Sequence, residues 1–175
     1  MATYGTTDRL TGGTVTAMNS IYNPIAYIVD NDLGTYWGGD TQSGSWIKYD
    51  CGVGITWAFG KLRCKPVYGY GPNAFTVNLS NNDSDYTQVY SGNMANTSGS
   101  PWQEFTWINT TKYRYIKIIT TSHYHATVIE IYEIEAMEML PATTGFFHWF
   151  FSEAWRKHDR LWIPKLVLPK EGYSY

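Results

Sequence analysis

The stretch that decides the fold is Asp30–Gly52, DNDLGTYWGGDTQSGSWIKYDCG. Asp30, Asp32 and Thr35 place hard oxygen donors in one short polar loop, and such donors suit a calcium ion. The same loop also fits a turn in which Asp and Asn side chains accept hydrogen bonds from their own backbone. Trp46–Asp50 then alternates in polarity and predicts a β-strand that ends at a turn. The ion and the turn remain alternative interpretations of the loop.

The composition favours an all-β domain. The chain has 175 residues, of which 17% are aromatic and 16% are charged, with many Thr and Gly residues. This length suits one domain with an appendage. The net charge of −2 gives no field that draws the whole molecule to nucleic acid. We therefore expect no nucleic-acid partner.

Strand signals recur at short spacing, separated by Gly, Asn, Ser and Pro turns and without a helical period. The predicted strands are Thr14–Met18, Trp46–Asp50, Lys61–Val67, Ala74–Ser80, Thr87–Tyr90, Glu104–Ile108, Tyr113–Thr120 and Val128–Met139. Phe75, Val77 and Leu79 alternate with polar residues, which is typical of a half-buried strand. Short strands of this kind predict a β-sandwich.

Trp46 and the two cysteines need separate interpretation. Trp46 shares a face with Lys48, so we expect its ring to lie near an edge and to cover the end of a sheet. Cys51 and Cys64 fall on successive predicted strands and could meet across them. Two cysteines do not make a disulfide framework, and in a chain made in the cytosol we expect free, buried thiols.

Several segments together resemble the discoidin-like family, also called F5/8 type C, which contains many carbohydrate-binding modules. The family pattern D-G-D-x-x-T-x-W followed by W-I-x-x-D-L-G is similar to Asp30–Trp37 and Trp46–Gly52, with Asn31 replacing Gly and Cys51 replacing Leu. Asn tolerates a positive φ angle better than most residues, so the first change is mild. Three later segments also resemble family strands: Phe75–Tyr86, Tyr113–Ile118 and Ile131–Ala136.

The resemblance covers roughly residues 13–139. It implies a discoidin-like, jelly-roll type antiparallel β-sandwich. It also implies that Glu133, in the closing strand, joins Asp30, Asp32 and Thr35 around a structural calcium ion that pins the loop to that strand.

In the family, loops at one end of the sandwich bind the ligand, and three loop segments here carry suitable side chains. Sugar recognition needs flat aromatic faces for the C–H side of the ring and polar groups for its hydroxyls. The candidates are Tyr22, Asn23, Tyr68, Tyr70, Asn73, His123, Tyr124 and His125. The chain has 15 tyrosines, so packing is the competing interpretation for any one of them. His123 and His125 lack an evident third ligand and make a poor zinc site.

The domain organisation predicted from these features has three parts. Residues 1–12 are polar and rich in Gly and Thr, which predicts a loose N-terminal arm. Residues 13–140 form the sandwich, and residues 141–175 form a docking tail. Within the tail, residues 152–160 predict a short helix that ends before Pro164.

The tail is dense in aromatic residues and is too short to form a core of its own. Its anchors are Phe146, Phe147, Trp149, Phe150, Phe151, Trp155 and Trp162. Such a segment either folds back on the sandwich or is buried in a partner. We favour a partner, because Trp is enriched among residues that dominate binding energy.

These features predict a non-enzymatic module that binds a cell-surface or secreted glycan, since no catalytic motif is present. The N-terminus lacks a secretory signal, so we expect synthesis in the cytosol. An anchored glycan-binding module made in this way suits a phage virion, as a capsid or tail accessory protein that docks on another subunit.

One alternative is a purely structural virion or assembly protein without a sugar site. The least favoured is a membrane-surface binder that inserts residues 145–151, because that stretch has no clean amphipathic split.

Truncation after Leu140 tests the tail. If Trp149 and Trp155 anchor it to another subunit, the isolated full-length chain will self-associate and the truncated chain will be monomeric, folded and more soluble. Burying each aromatic side chain stabilises by about 1.5–3 kcal/mol, so several anchors offset the cost of ordering the segment. Size-exclusion chromatography with light scattering measures both species. A monodisperse full-length monomer beside an unstable truncated chain would contradict the docking prediction.

Overall fold

Two antiparallel β-sheets pack face to face in the computed structural model, which describes residues 2–41 and 44–141. The chain divides into two units, Met1–Ala142 and Thr143–Tyr175. The second unit lies outside the described residues, and so do the predicted helix over 152–160 and the docking aromatics. Within the described ranges, no helix is long and apolar enough to cross a membrane.

Eleven strands and one short helix make up the described part of the chain. The strands are β1 Thr3–Tyr4, β2 Thr14–Ala17, β3 Ser20–Tyr22, β4 Trp37–Gly39, β5 Ser45–Asp50, β6 Phe59–Pro66, β7 Ala74–Ser80, β8 Thr87–Asn93, β9 Gln103–Thr106, β10 Tyr115–Thr120 and β11 Ile129–Leu140, and a 3-10 helix spans Ile25–Val29. One sheet has the order β3-β4-β11-β6-β9, with β1 also paired to β11, and the other has the order β2-β5-β10-β7-β8. The predicted all-β sandwich is confirmed.

The core lies between the two sheets and is built by period-two alternation. Ile47 and Tyr49 of β5 are buried, and they pair with the buried Ile118 and Ile116 of β10. Burying such side chains removes apolar surface from water and stabilises by about 1.5–3 kcal/mol each. These inward residues are the ones that the alternation predicts.

Trp46 lies at the start of β5, next to the edge strand β2, as predicted. Its strand, β5, is bordered by β2 and β10. The ring lies 4.8 Å from the Lys117 ammonium and 5.6 Å from that of Lys48, measured to the ring centroid. Cation–π contacts from two lysines of the same sheet, which the sequence did not predict, therefore cover the ring.

The two cysteines are free and buried, as predicted. Cys51 follows β5 in one sheet and Cys64 lies in β6 of the other. They therefore do not meet across neighbouring strands. Burial raises the pKa of the Cys51 thiol to about 12 and raises that of Cys64 as well. Both side chains act as small apolar groups of the core.

The N-terminal residues are not a loose arm, which corrects the prediction for residues 1–12. β1 pairs with the end of β11, and the Leu10 side chain is only 1% exposed. The Arg9 guanidinium lies 4.0 Å from the Trp57 ring centroid and forms an ion pair with Glu138. The polar composition concealed this arrangement, because backbone pairing and one buried leucine hold the segment.

Substitution of Leu10 tests whether the N-terminal segment belongs to the core. We expect Leu10→Ala to lower the free energy of unfolding by about 2–5 kcal/mol, because it removes a buried side chain and leaves a cavity. Thr11→Ala, at an exposed neighbour, is the matched control and is expected to change it by less than about 0.5 kcal/mol. Chemical denaturation measures both free energies of unfolding. Equal effects of the two substitutions would show that the N-terminal segment is a loose arm and not part of the core.

Candidate functional site

The loops Val67–Asn73 and Thr121–Thr127 are joined by backbone hydrogen bonds at one end of the sandwich. The N–H of Tyr124 donates to the carbonyl of Gly71 at 3.1 Å, and Pro72 forms an isolated β-bridge with His123. The N–H of Asn73 donates to the carbonyl of Ser122 at 2.8 Å. Six of the predicted ligand-binding residues are thus brought together.

Tyr22 reaches the same end through the first residues of β11. Its hydroxyl donates to the Glu130 carboxylate, and the N–H of Glu130 donates to the carbonyl of Tyr70 at 2.9 Å. Burial, the hydrogen bond to Glu130 and the nearby Tyr36 and Tyr70 raise the pKa of Tyr22. A Cβ at Gly38 would collide with the Tyr22 ring, so this glycine allows the ring to pack over β4.

Asn23 follows Tyr22 directly and is exposed, with a φ angle of 62°. Asn adopts this left-handed conformation more readily than most residues. The first predicted segment therefore also turns at the loop end, next to Tyr22.

Three tyrosine rings are exposed there. Tyr68, Tyr70 and Tyr124 have exposed fractions of 52%, 38% and 39%. The Tyr70 ring packs on His125, with centroids 4.5 Å apart and planes tilted by 34°. The Tyr124 hydroxyl donates to the carbonyl of Met94 at 2.7 Å. Tyr70 and Tyr124 are therefore held in place by contacts within the protein while part of each ring faces solvent.

The two remaining candidates, Asn73 and His123, differ in the hydrogen bonds of their side chains. The Asn73 side-chain oxygen accepts a hydrogen bond from Asn93 at 3.1 Å, so Asn73 already connects two loops. The His123 Nδ1 atom is buried and has no hydrogen-bond partner among the described residues. The unpartnered His123 atom therefore lies inside the protein, and the Asn73 contact uses only its side-chain oxygen.

Glu130 is a residue of this end that the sequence analysis missed. It contacts the Tyr22 and Tyr70 segments at once, through its side chain and its backbone. Its position could be found from the sequence only as the outward residue at the start of the closing strand. Nothing in its neighbourhood, VIEIYEIE, separates it from the other glutamates.

The Asp30 loop closes on itself as an Asx turn. Asp30 Oδ1 accepts the N–H of Asp32 at 2.8 Å, and Asp32 Oδ1 accepts the N–H of Gly34 at 2.9 Å. The Thr35 hydroxyl donates to Asp30 Oδ2 at 3.0 Å. Asn31 has a φ angle of 61°, so it adopts the backbone conformation for which the family uses glycine. The turn that the sequence left as one alternative is present.

Glu133 meets this loop from β11. Its side chain is 1% exposed, and its Oε2 atom accepts the N–H of Asn31 at 3.0 Å. Its Oε1 atom is buried without a hydrogen-bond partner among the described residues. Burial raises the pKa of Glu133 to about 8, against the N–H bond from Asn31, and the nearby Asp30 carboxylate raises it further.

These residues fit a hard cation. A divalent ion between Asp30 and Glu133 would neutralise two like charges and occupy the unpartnered oxygen. No group of three or more His, Cys, Asp or Glu within the described ranges could hold a metal. Neutral oxygens, such as the hydroxyl of Thr35, would therefore have to complete the ligand set. His123 and His125 do not belong to a group of this kind among the described residues.

The fold defines a class of protein: an antiparallel two-sheet β-sandwich with several connecting loops gathered at one end. The sequence profile of the F5/8 type C domain matches residues 13–134. The chain belongs to this family, and the resemblance drawn from the sequence is confirmed. No curated protein sequence matches the chain.

Solved structures of carbohydrate-binding modules share the fold. The CBM32 of AlyQ, in complex with 4,5-unsaturated mannuronic acid, is 25% identical, with a TM-score of 0.60 over 71% of this chain and 92% of that module. The family 32 module of NanJ from C. perfringens, in complex with galactose, is 15% identical, with a TM-score of 0.64 over 79% and 100%. Truncated AlyQ with CBM32 and alginate lyase domains is 23% identical, and this chain spans 32% of it.

Calcium is expected to raise the melting temperature. An ion that binds only the native state stabilises it by mass action, by about 2.7 kcal/mol at a hundred times its dissociation constant. Differential scanning calorimetry in EDTA and in millimolar calcium measures the shift. In Glu133→Gln the shift is expected to vanish while the ion-free protein stays at least as stable, because the substitution removes a buried carboxylate. Identical melting of the unsubstituted protein in both buffers would exclude the ion.

Proposed function

We propose that the chain is a non-enzymatic glycan-binding module whose site is the loop end of the sandwich. The observation that carries the proposal is the set of three exposed rings, Tyr68, Tyr70 and Tyr124, of which Tyr70 is packed on His125 and Tyr124 is hydrogen-bonded to the backbone. The described relatives support it, since modules of AlyQ and NanJ with the same fold are in complex with sugars.

The chemistry of the loop end suits a sugar. Ring faces contact the C–H side of a pyranose, and a few placed polar groups orient its hydroxyls, which is the usual division of work in a binding site. Asn73 and Glu130 are polar residues of the same segments, since Asn73 ends the Val67–Asn73 loop and the Glu130 N–H donates to the carbonyl of Tyr70. The backbone bonds between the loops hold this arrangement before the ligand arrives, so little conformational entropy is lost on binding.

The place of the module in a larger assembly is a further part of the proposal. The aromatic anchors in residues 141–175 support docking on another subunit, and a phage virion, as a capsid or tail accessory protein, suits such an anchored module. The structural alternative, a sandwich that only cements an assembly, predicts no retention of any glycan. A glycan array therefore separates the two functions.

Tyr70→Ala and Tyr124→Ala test the site. Each is expected to abolish glycan retention on an array while the melting temperature stays nearly unchanged, because the rings are partly exposed. Tyr86→Ala is the control, since Tyr86 follows the opposite end of β7 from the Val67–Asn73 loop. Removal of a buried aromatic costs about 3–5 kcal/mol. Loss of stability in parallel with loss of binding would therefore show that the rings belong to the core.

A further inference from the structure

The outer face of the five-stranded sheet carries a row in which aromatic rings and cations alternate. The Lys117 ammonium lies 4.7 Å from the Tyr86 ring centroid and 4.8 Å from that of Trp46. The Lys48 ammonium lies 5.6 Å from the Trp46 centroid and 5.9 Å from that of Tyr115. We call these five residues the sheet-face row.

Two lysines stand directly opposite each other in the sheet-face row. Lys117 of β10 and Lys48 of β5 are cross-strand partners, and like charges at such positions repel. Lys48 forms an ion pair with Asp83 at 2.6 Å, and the neighbouring Arg114 is paired with Asp50 at 2.6 Å. Lys117 has no ion pair or hydrogen bond among the described residues. It is therefore the lysine of this pair whose charge has no direct partner.

Asp83 lies close to Lys117, but its oxygens accept other donors. Its Oδ2 atom accepts the Lys48 ammonium at 2.6 Å, and its Oδ1 atom accepts the Tyr86 hydroxyl at 2.5 Å. These two hydrogen bonds lower the pKa of Asp83, and the charge of Lys117 lowers it further. Asp83 is therefore ionised at neutral pH. Two ammonium groups and one carboxylate give this cluster a net charge of +1.

The contacts of Lys117 hold its ammonium group in place and leave its hydrogen-bonding capacity unused. A cation–π contact involves no hydrogen-bond acceptor, so the three N–H donors of Lys117 stay free. The residue is half-buried and faces outward from the sheet. An oxyanion that approaches from solvent can therefore accept hydrogen bonds from an ammonium whose position is already fixed by two rings.

We propose that the sheet-face row is a second binding site, separate from the loop end, and that Lys117 pairs there with a sulfate ester on a glycan. A net charge of +1 suits a group with a single negative charge. A phosphate monoester carries about −1.5 to −2 at pH 7, and its additional charge would be repelled by Asp83. That the carrier is a glycan rests on the proposed function, and the anion site itself does not.

A uronic acid is the less suitable monoanion for this place. A planar carboxylate is matched best by the guanidinium fork of an arginine, whereas an ammonium acts as a point charge. The nearby Arg114 fork is already occupied, since its Nε and Nη2 atoms donate to the two oxygens of Asp50 at 2.6 and 2.7 Å. The tetrahedral sulfate places no such demand on the geometry of its donors.

The test compares sugars that differ only at C6, with the full-length protein at one pH and ionic strength. The probes are galactose, galactose 6-sulfate, galactose 6-phosphate and galacturonic acid. The NMR signal of the Trp46 indole N–H reports on the sheet-face row and is assigned by its loss in Trp46→Phe. The sulfate is expected to shift this signal and to bind about tenfold tighter than the phosphate or the uronate, the size of one charge-assisted interaction. Galactose is expected not to shift it.

Lys117→Met is the decisive variant. It removes the charge and keeps an unbranched apolar side chain between the rings. We expect it to abolish the response to the sulfate. Lys61→Met makes the same change in net charge on the other sheet and is expected to leave the response intact.

Asp83→Asn gives a second, independent measurement. Asn adopts the φ angle of 62° found at this position, so the turn is preserved. The substitution removes the carboxylate that repels anions. It is expected to tighten binding of the sulfate and to tighten binding of the more highly charged phosphate by a larger factor. Equal or weaker binding of both would contradict the site.

The outcomes separate this inference from the proposed function. Loss of the sulfate response in Lys117→Met but not in Lys61→Met supports the inference. A response that survives Lys117→Met, equal binding of the phosphate or uronate, or no response to the sulfate overturns it. If Lys117→Met melts at a lower temperature than the unsubstituted protein, the result with Asp83→Asn decides.

The loop end is tested separately, on the unsulfated glycans of the array, where Tyr86→Ala remains a control. In Tyr70→Ala the response of Trp46 to the sulfate is expected to persist. An array without retained glycans beside a persistent Trp46 response would overturn the proposed function alone. Retention on the array without a Trp46 response would overturn the second site alone.

Discussion

The hydrogen-bonded ladder of β11 is the constraint on which the other features of the sandwich depend. This strand pairs with β4 and β6 over its length and with β1 at its end. It carries Glu130 to the loop end, Glu133 to the Asp30 loop and Glu138 to Arg9. Three distant parts of the chain are thus positioned by one strand. Because side chains at fixed register cannot move independently, a shift of β11 would change all three contacts together.

A β-bulge in this strand explains how a carboxylate comes to be buried. Ile131 pairs with Pro66 and Glu133 pairs with Lys65, so β11 advances by two residues where β6 advances by one. The inward positions are Ile129 and Ile131 before the bulge and Ile134 after it, and Glu133 lies at the change of phase. Bulges re-aim side chains next to functional sites. Burial of an unpaired carboxylate is costly. The arrangement is therefore consistent with a cation that would offset that cost.

The sequence predicted those parts of the fold that rest on side-chain periodicity. The bounds of β7, Ala74–Ser80, agree with the prediction because the apolar residues Phe75, Val77 and Leu79 recur at alternate positions and are all buried. The strands β3 and β4 have three residues each, and β1 has only two. Such strands are too short to show a period, and their pairing is set by tertiary contacts with β11 and with one another. The resemblance to the family placed Glu133 beside the Asp30 loop, which periodicity alone could not do across a bulge.

The candidate site was predictable only in part, for a related reason. Aromatic and polar residues on three loops could be found in the sequence. The meeting of the Tyr22 and Tyr70 segments at Glu130 depends on the bond that the Glu130 N–H donates to the Tyr70 carbonyl and on the Tyr22 hydroxyl.

The core of the sandwich and its loop end constrain the amino-acid sequence in different ways. The core requires apolar residues at alternate positions, which many sequences satisfy, and the described relatives keep the fold at 15% and 25% identity. Their sugars differ, since one is a neutral hexose and the other an unsaturated uronic acid. Loop residues can change without disturbing the core, because they are bonded mainly to one another. The side chains of the loops, and not the shape of the sandwich, are therefore where this chain differs most from modules of the same fold.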